Sequence, residues 1–152
     1  MNLRLSLALL MALALPGFAI AANTSWMNDL EAAKAKAAKE RKPLLIEFTG
    51  STWCPPCQAL SAKVLSTPEF AAFSRSFVMV SLDYPPMSGR TPEKIRANPE
   101  LARLMAIKEK YGVPGFPTMF VYNADGKELT KIVGYSGESP QAYIAKLNAG
   151  LK

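Results

Sequence analysis

Apolar and polar positions run in blocks whose spacing changes along the chain, and the changes mark out its elements. The first block, Leu5 to Leu15, is apolar except for Ser6, follows the basic Arg4, breaks at Pro16-Gly17 and ends in Ala19-Ile20-Ala21. A basic start, a short apolar stretch and a small-residue end describe a cleaved export signal. The run is well short of the roughly 20 residues a membrane-spanning helix needs. Residues 1–21 are expected to be removed and residues 22–152 to form the mature domain, with no cysteine near the cut to accept a lipid.

Beyond the signal the spacing becomes helical. From Thr24 or Ser25, both good caps, Trp26, Leu30, Ala33 and Ala37 fall on one face while Lys34, Lys36 and Lys39 point elsewhere, which predicts a helix to Glu40. Pro43 ends it, and Leu44-Leu45-Ile46-Glu47-Phe48 follows as a short, almost wholly apolar run suited to a strand buried on both faces. Its one charge is Glu47. Thr49 to Thr52 makes a loop into a helix from Cys54 to about Leu65, and Ser66-Thr67-Pro68-Glu69 starts another through Phe73. Phe77 to Leu82 is a second buried strand. Tyr84 to Pro99, rich in Pro, Ser, Gly and charge, reads as an exposed excursion before a helix from Glu100 to about Tyr111. Thr118 to Tyr122 and Lys131 to Gly134 are strands joined by a turn at Asn123 to Lys127, and Ser139-Pro140 caps a last helix to Leu151. This order fits the α/β class, a central mixed sheet with helices on both faces and a site where the first strand feeds its helix.

Composition narrows the function classes. Removing 21 of the 152 residues leaves 131, one domain with room for a core, and takes the formal charge from +6 to +5. Most of the remaining Lys and Arg are spread over Lys34–Lys42, Lys94–Lys110 and Lys127–Lys152, as on solvated helix faces. No basic stretch interleaves with aromatics, so a nucleic-acid partner is not expected. With two cysteines and no histidine, a closed Cys/His zinc site cannot be built from one copy.

Those two cysteines carry the candidate chemistry. In Trp53-Cys54-Pro55-Pro56-Cys57 both can sit on the first turn of one helix, with the Cys54 sulfur over unpaired N–H groups and the positive helix end, which favours thiolate. One thiol can attack and the other resolve. As a staple the pair would contribute little, about 2 kcal/mol for so short a loop. Pro55 and Pro56 have no N–H, so a Cys54 thiolate keeps chiefly the Cys57 N–H and the helix end. A less stabilised thiolate is a less stabilised reduced form, which places the dithiol toward the reducing end of the potential scale. A different class stays open: a copper carrier or binding module using Cys54 and Cys57 with Met79, Met87 or Met119 as soft ligands, without turnover. A chaperone or inhibitor role through Tyr84 to Pro99 is a third.

Phe48-Thr49-Gly50-Ser51, Trp53-Cys54-Pro55-Pro56-Cys57, Tyr111-Gly112-Val113-Pro114-Gly115-Phe116-Pro117-Thr118 and Gly134 after the hairpin, in this order, resemble the thioredoxin superfamily, and more narrowly its exported bacterial members. The resemblance implies a thioredoxin-like three-layer sandwich and a thiol–disulfide oxidoreductase of the periplasm, reducing or isomerising disulfides in exported proteins. It implies Cys54 as nucleophile, Cys57 as resolver, a cis Pro117, and a substrate surface of Trp53, Pro55, Pro56, Phe116, Pro117 and Gly134. The family's buried acid usually stands one residue nearer the first cysteine than Glu47 does; if the loop absorbs the difference, Glu47 takes the proton of Cys57. The competing reading of Glu47 is a strand-edge salt bridge with a lysine. No flavin or nicotinamide motif occurs, so no cofactor is expected and electrons would come from a membrane thiol-relay protein. The implied partners are cysteine-containing exported proteins, and the protein is expected to be a monomer.

Overall fold

A computed structural model describes residues 25–151; the expected export signal lies outside them. Helix α1 (Leu30–Glu40) leads to β1 (Leu44–Thr49), and α2 (Pro55–Leu60) runs on as a π-helical turn, Ser61–Leu65. Then come α3 (Pro68–Ser74), β2 (Val78–Asp83), a short α4 (Pro92–Arg96), α5 (Pro99–Lys110), β3 (Thr118–Tyr122), β4 (Glu128–Val133) and α6 (Pro140–Asn148). The sheet order is β2-β1-β3-β4, with β1 parallel to β2 and antiparallel to β3, and β3 antiparallel to β4. This is the mixed α/β sandwich expected from the sequence.

Strand β1 is central and buried along its whole length, so its alternate residues feed two cores. Leu44, Ile46 and Phe48 pack with α1, α5 and the even-numbered β2 residues Val78, Val80 and Leu82. Leu45 packs on the other face with Met79, Met119 and Val121 under Leu60, Val64, Phe70, Tyr143 and Leu147. Glu47 shares that second face by its parity.

Three local expectations are corrected. Helix α1 starts at Leu30, capped by Asp29, whose Oδ1 accepts from Ala32 N at 3.0 Å. The residues before it are taken by another partner: Met27 N donates to Met79 O and Ser81 N to Met27 O, both at 2.9 Å, which covers the outer edge of β2. Second, Tyr84 does not belong to an exposed excursion. It is 1 % exposed, stacks on Phe48, meets Phe116 at a tilt with ring centres 4.8 Å apart, and its Oη donates to Leu104 O at 2.7 Å. The remainder of the excursion is partly ordered as α4, capped by Thr91. Third, β4 begins at Glu128 and ends at Val133, because a bulge at Val121/Tyr122 lengthens the pairing toward the turn.

Candidate active site

The turn from β1 to α2 is assembled from local bonds and one long-range clamp. Gly50 O accepts from Trp53 N at 3.2 Å and Cys54 N at 2.9 Å, which curls the chain under the indole. Gly50 has to be glycine: a Cβ there would meet the Trp53 ring at 2.5 Å. Cys54 is the N-cap of α2, Pro55 and Pro56 fill the first two helical positions, and Cys54 Sγ accepts from Cys57 N at 3.3 Å. The Cys57 N–H is therefore the donor available at the helix start, as the two prolines require. Cys54 and Cys57 are joined as a disulfide, with Cα atoms 5.3 Å apart, so the structure presents the oxidised dithiol.

The surroundings of the two sulfurs differ. Around Cys54 the surface is apolar: Trp53 is 37 % exposed, Pro55 and Pro56 are exposed, and Trp53 meets Phe116 edge to face at 5.8 Å. The indole is fixed by Trp53 Nε1 donating to Tyr84 O at 2.6 Å. The Phe116–Pro117 bond is cis, Pro117 is buried, and Pro117 O accepts from Gly134 N at 2.8 Å, so Phe116, Pro117 and Gly134 form one rim beside the disulfide. Cys57, 1 % exposed, instead borders a polar cleft of about 730 Å³ whose walls include Glu47, Thr49, Ser51, Ser61, Ser81 and Asp83.

Glu47 is 6 % exposed, and its Oε2 accepts from Ser81 Oγ at 2.7 Å. Burial pushes its carboxyl above the ordinary range, the nearby Asp83 pushes the same way, and the hydroxyls of Ser81 and Thr49 partly offset them. The salt-bridge reading of Glu47 does not hold: β1 is a central strand, and among the described residues no lysine or arginine forms an ion pair with Glu47. The structure thus brings all nine sequence-selected residues to one end of the sheet, Glu47 behind the dithiol and the others in front of or around it.

The soft ligands of the copper reading do not form one group: two are core side chains and the third stands apart from them. Met79 and Met119 are core residues beneath α2, α3 and α6, and Met87 lies in the segment after Tyr84. Among the described residues no group of three or more His, Cys, Asp and Glu is placed to hold a metal, and no helix is long and apolar enough to cross a membrane.

Sequence reasoning missed Ser51, Gln58, Ser81 and Asp83. Asp83 Oδ1 accepts from Ser51 N at 2.8 Å and Oδ2 from Ser51 Oγ at 2.5 Å, while Gln58 Nε2 donates to Ser51 O at 3.0 Å. Only the parallel register, Glu47 beside Ser81 and Thr49 beside Asp83, brings these together. Spacing along the chain carries no trace of it.

A Cys-x-x-Cys pair at the strand-to-helix turn of this mixed sheet is the site of a thiol–disulfide oxidoreductase of thioredoxin fold. The chain belongs to the thioredoxin-like family, whose model matches residues 25–124. It is 32 % identical over 133 residues to the disulfide bond reductase DsbH of Chlamydia pneumoniae, covering 87 % of this chain and 75 % of that protein. A solved structure of a DsbH oxidoreductase superposes with a TM-score of 0.67 at 26 % identity, covering 84 % of this chain and 83 % of the other. The oxidised C-terminal domain of Neisseria meningitidis DsbD superposes with a TM-score of 0.60 at 25 % identity, covering 83 % and 99 %.

Proposed function

We propose that this protein works in the cell envelope, after export through residues 1–21, as a reductant or isomerase for disulfides in exported proteins. The observation that carries the direction is the cap of α2: Cys54 Sγ accepts from the Cys57 N–H across two prolines that offer none. A thiolate with few donors stabilises the reduced form little, so electrons leave readily. Similarity to a protein named a disulfide bond reductase supports the same direction.

The reaction divides between the two sulfurs. Cys54 thiolate attacks one sulfur of the substrate disulfide, a mixed disulfide forms, and the other substrate sulfur leaves as a thiolate that takes a proton from water. Cys57 then gives its proton to the Glu47 carboxylate and attacks Cys54 Sγ, closing the Cys54–Cys57 disulfide and releasing the second substrate thiol. Two electrons pass from the dithiol to the substrate. Raising the carboxyl's proton affinity by burial brings it nearer to that of a thiol, which is what a base for Cys57 needs. Trp53, Pro55, Pro56, Phe116, Pro117 and Gly134 receive the substrate chain, the backbone of Phe116 pairing with it as an added strand. A membrane thiol-relay protein returns the electrons, since the chain carries no nicotinamide or flavin motif.

The test is a redox titration of the mature protein joined to trapping. A potential near that of thioredoxin, about −270 mV, is expected; one near about −120 mV, the value of a strong periplasmic oxidant, overturns the direction. Cys57→Ser should hold substrates as mixed disulfides through Cys54, and Cys54→Ser should hold none.

A further inference from the structure

We propose that Asp83 is a positioning residue of this site with two tasks: it holds the loop that presents Trp53 and Cys54, and it sets a second negative charge in the cleft that Glu47 uses. The second task rests on the reading of Glu47 as the base for Cys57. Asp83 closes β2, two residues beyond Ser81, so both project to the sheet face that carries Glu47 and Thr49. Its two oxygens take the N–H and hydroxyl of Ser51, and Gln58 takes the Ser51 carbonyl from the other side. Next to it, Tyr84 N donates to Thr49 O at 2.8 Å while Tyr84 O receives the Trp53 indole N–H, so the end of β2 grips the loop at three successive points. This grip gives the loop from Thr49 to Trp53 a fixed course.

The charge argument follows from what else faces Glu47. Ser81 and Asp83 approach it from β2, Thr49 from its own strand, Cys57 from α2, Ser61 from the π-helical turn and the buried Tyr143 from α6. Among the described residues no lysine or arginine lines the cleft. Asp83 is thus the charged group set against Glu47, and its sign opposes ionisation there.

The test is to follow the Glu47 carboxyl carbon by NMR through a pH titration of the oxidised protein. In Asp83→Asn, which keeps an oxygen for Ser51 N, the Glu47 midpoint should fall by roughly half to one pH unit, the effect of one like charge across a partly hydrated cleft. Ser51→Ala keeps the charge and cuts one clamp bond; it should leave the midpoint in place and slow Cys54 attack several-fold. An unchanged midpoint in Asp83→Asn overturns the proposal, as does an equal shift in Ser51→Ala, which would make loop geometry the cause. Raising the salt concentration on the unaltered protein should lower the midpoint in the same direction, and a failure there has the same force if Asp83→Asn does not fold. A Glu47→Gln variant with an unchanged rate of resolution fails the base reading instead, leaving the clamp to stand on the Ser51→Ala rate.

Discussion

The two sulfurs of one disulfide face opposite kinds of surroundings. Cys54 looks onto an apolar, partly exposed rim of Trp53, Pro55, Pro56 and Phe116, and Cys57 backs onto a cleft of carboxylates and hydroxyls. The front has few polar donors, as the proposed docking of a substrate chain that supplies its own backbone groups would require. The back carries the polar side chains Glu47, Thr49, Ser81 and Asp83, the surroundings that the proposed proton transfer from Cys57 would use. The two cysteines thus have different neighbours, three residues apart at the start of one helix.

The largest break of this comparison is removal of the front sulfur. Cys54→Ser should abolish disulfide reduction and trapping, whereas Cys57→Ser should keep the first attack and accumulate mixed disulfides, as seen by non-reducing electrophoresis. Next comes the back: Glu47→Gln should slow resolution about tenfold to a hundredfold at neutral pH and flatten its pH profile, with the rate of first attack nearly unchanged, measured by single-turnover kinetics. A smaller effect is expected at the helix start. Pro56→Ala restores an N–H at the second helical position, and one added bond to the thiolate should raise the potential by roughly 30 mV, read against a glutathione buffer.

The smallest effect is on stability. The folded-state proton affinity of Glu47 is raised above its unfolded value by burial, so the folded protein binds more protons in that window. The contribution of Glu47 to the stability of the oxidised protein should therefore be fully present below the unfolded glutamate range and be lost as pH rises through the folded value, a component of the pH profile that Glu47→Gln removes. Urea unfolding at a series of pH values checks it.

Much of this molecule was legible in its sequence where the signal is local. The caps Thr67 and Ser139 start their helices, and the apolar run Leu44 to Phe48 is the buried central strand. Less was legible wherever a distant partner outbids the local pattern. Trp26 to Asn28 fit the helical spacing of α1, yet the Met27 backbone bonds the edge of β2 and Trp26 stacks on Phe70 at 6.2 Å. Tyr84 sits among turn residues and charges, and only its contacts with Phe48, Phe116 and Leu104 make it core.

The sequence by itself determined the dithiol, its place at a helix start and the shortage of donors around Cys54, because all three follow from residues next to one another. The tertiary structure alone decided what lies behind Cys57. Glu47, Ser81 and Asp83 meet because β1 and β2 pair in parallel, and a parallel pair requires a crossover whose register is set by packing on both faces of the sheet.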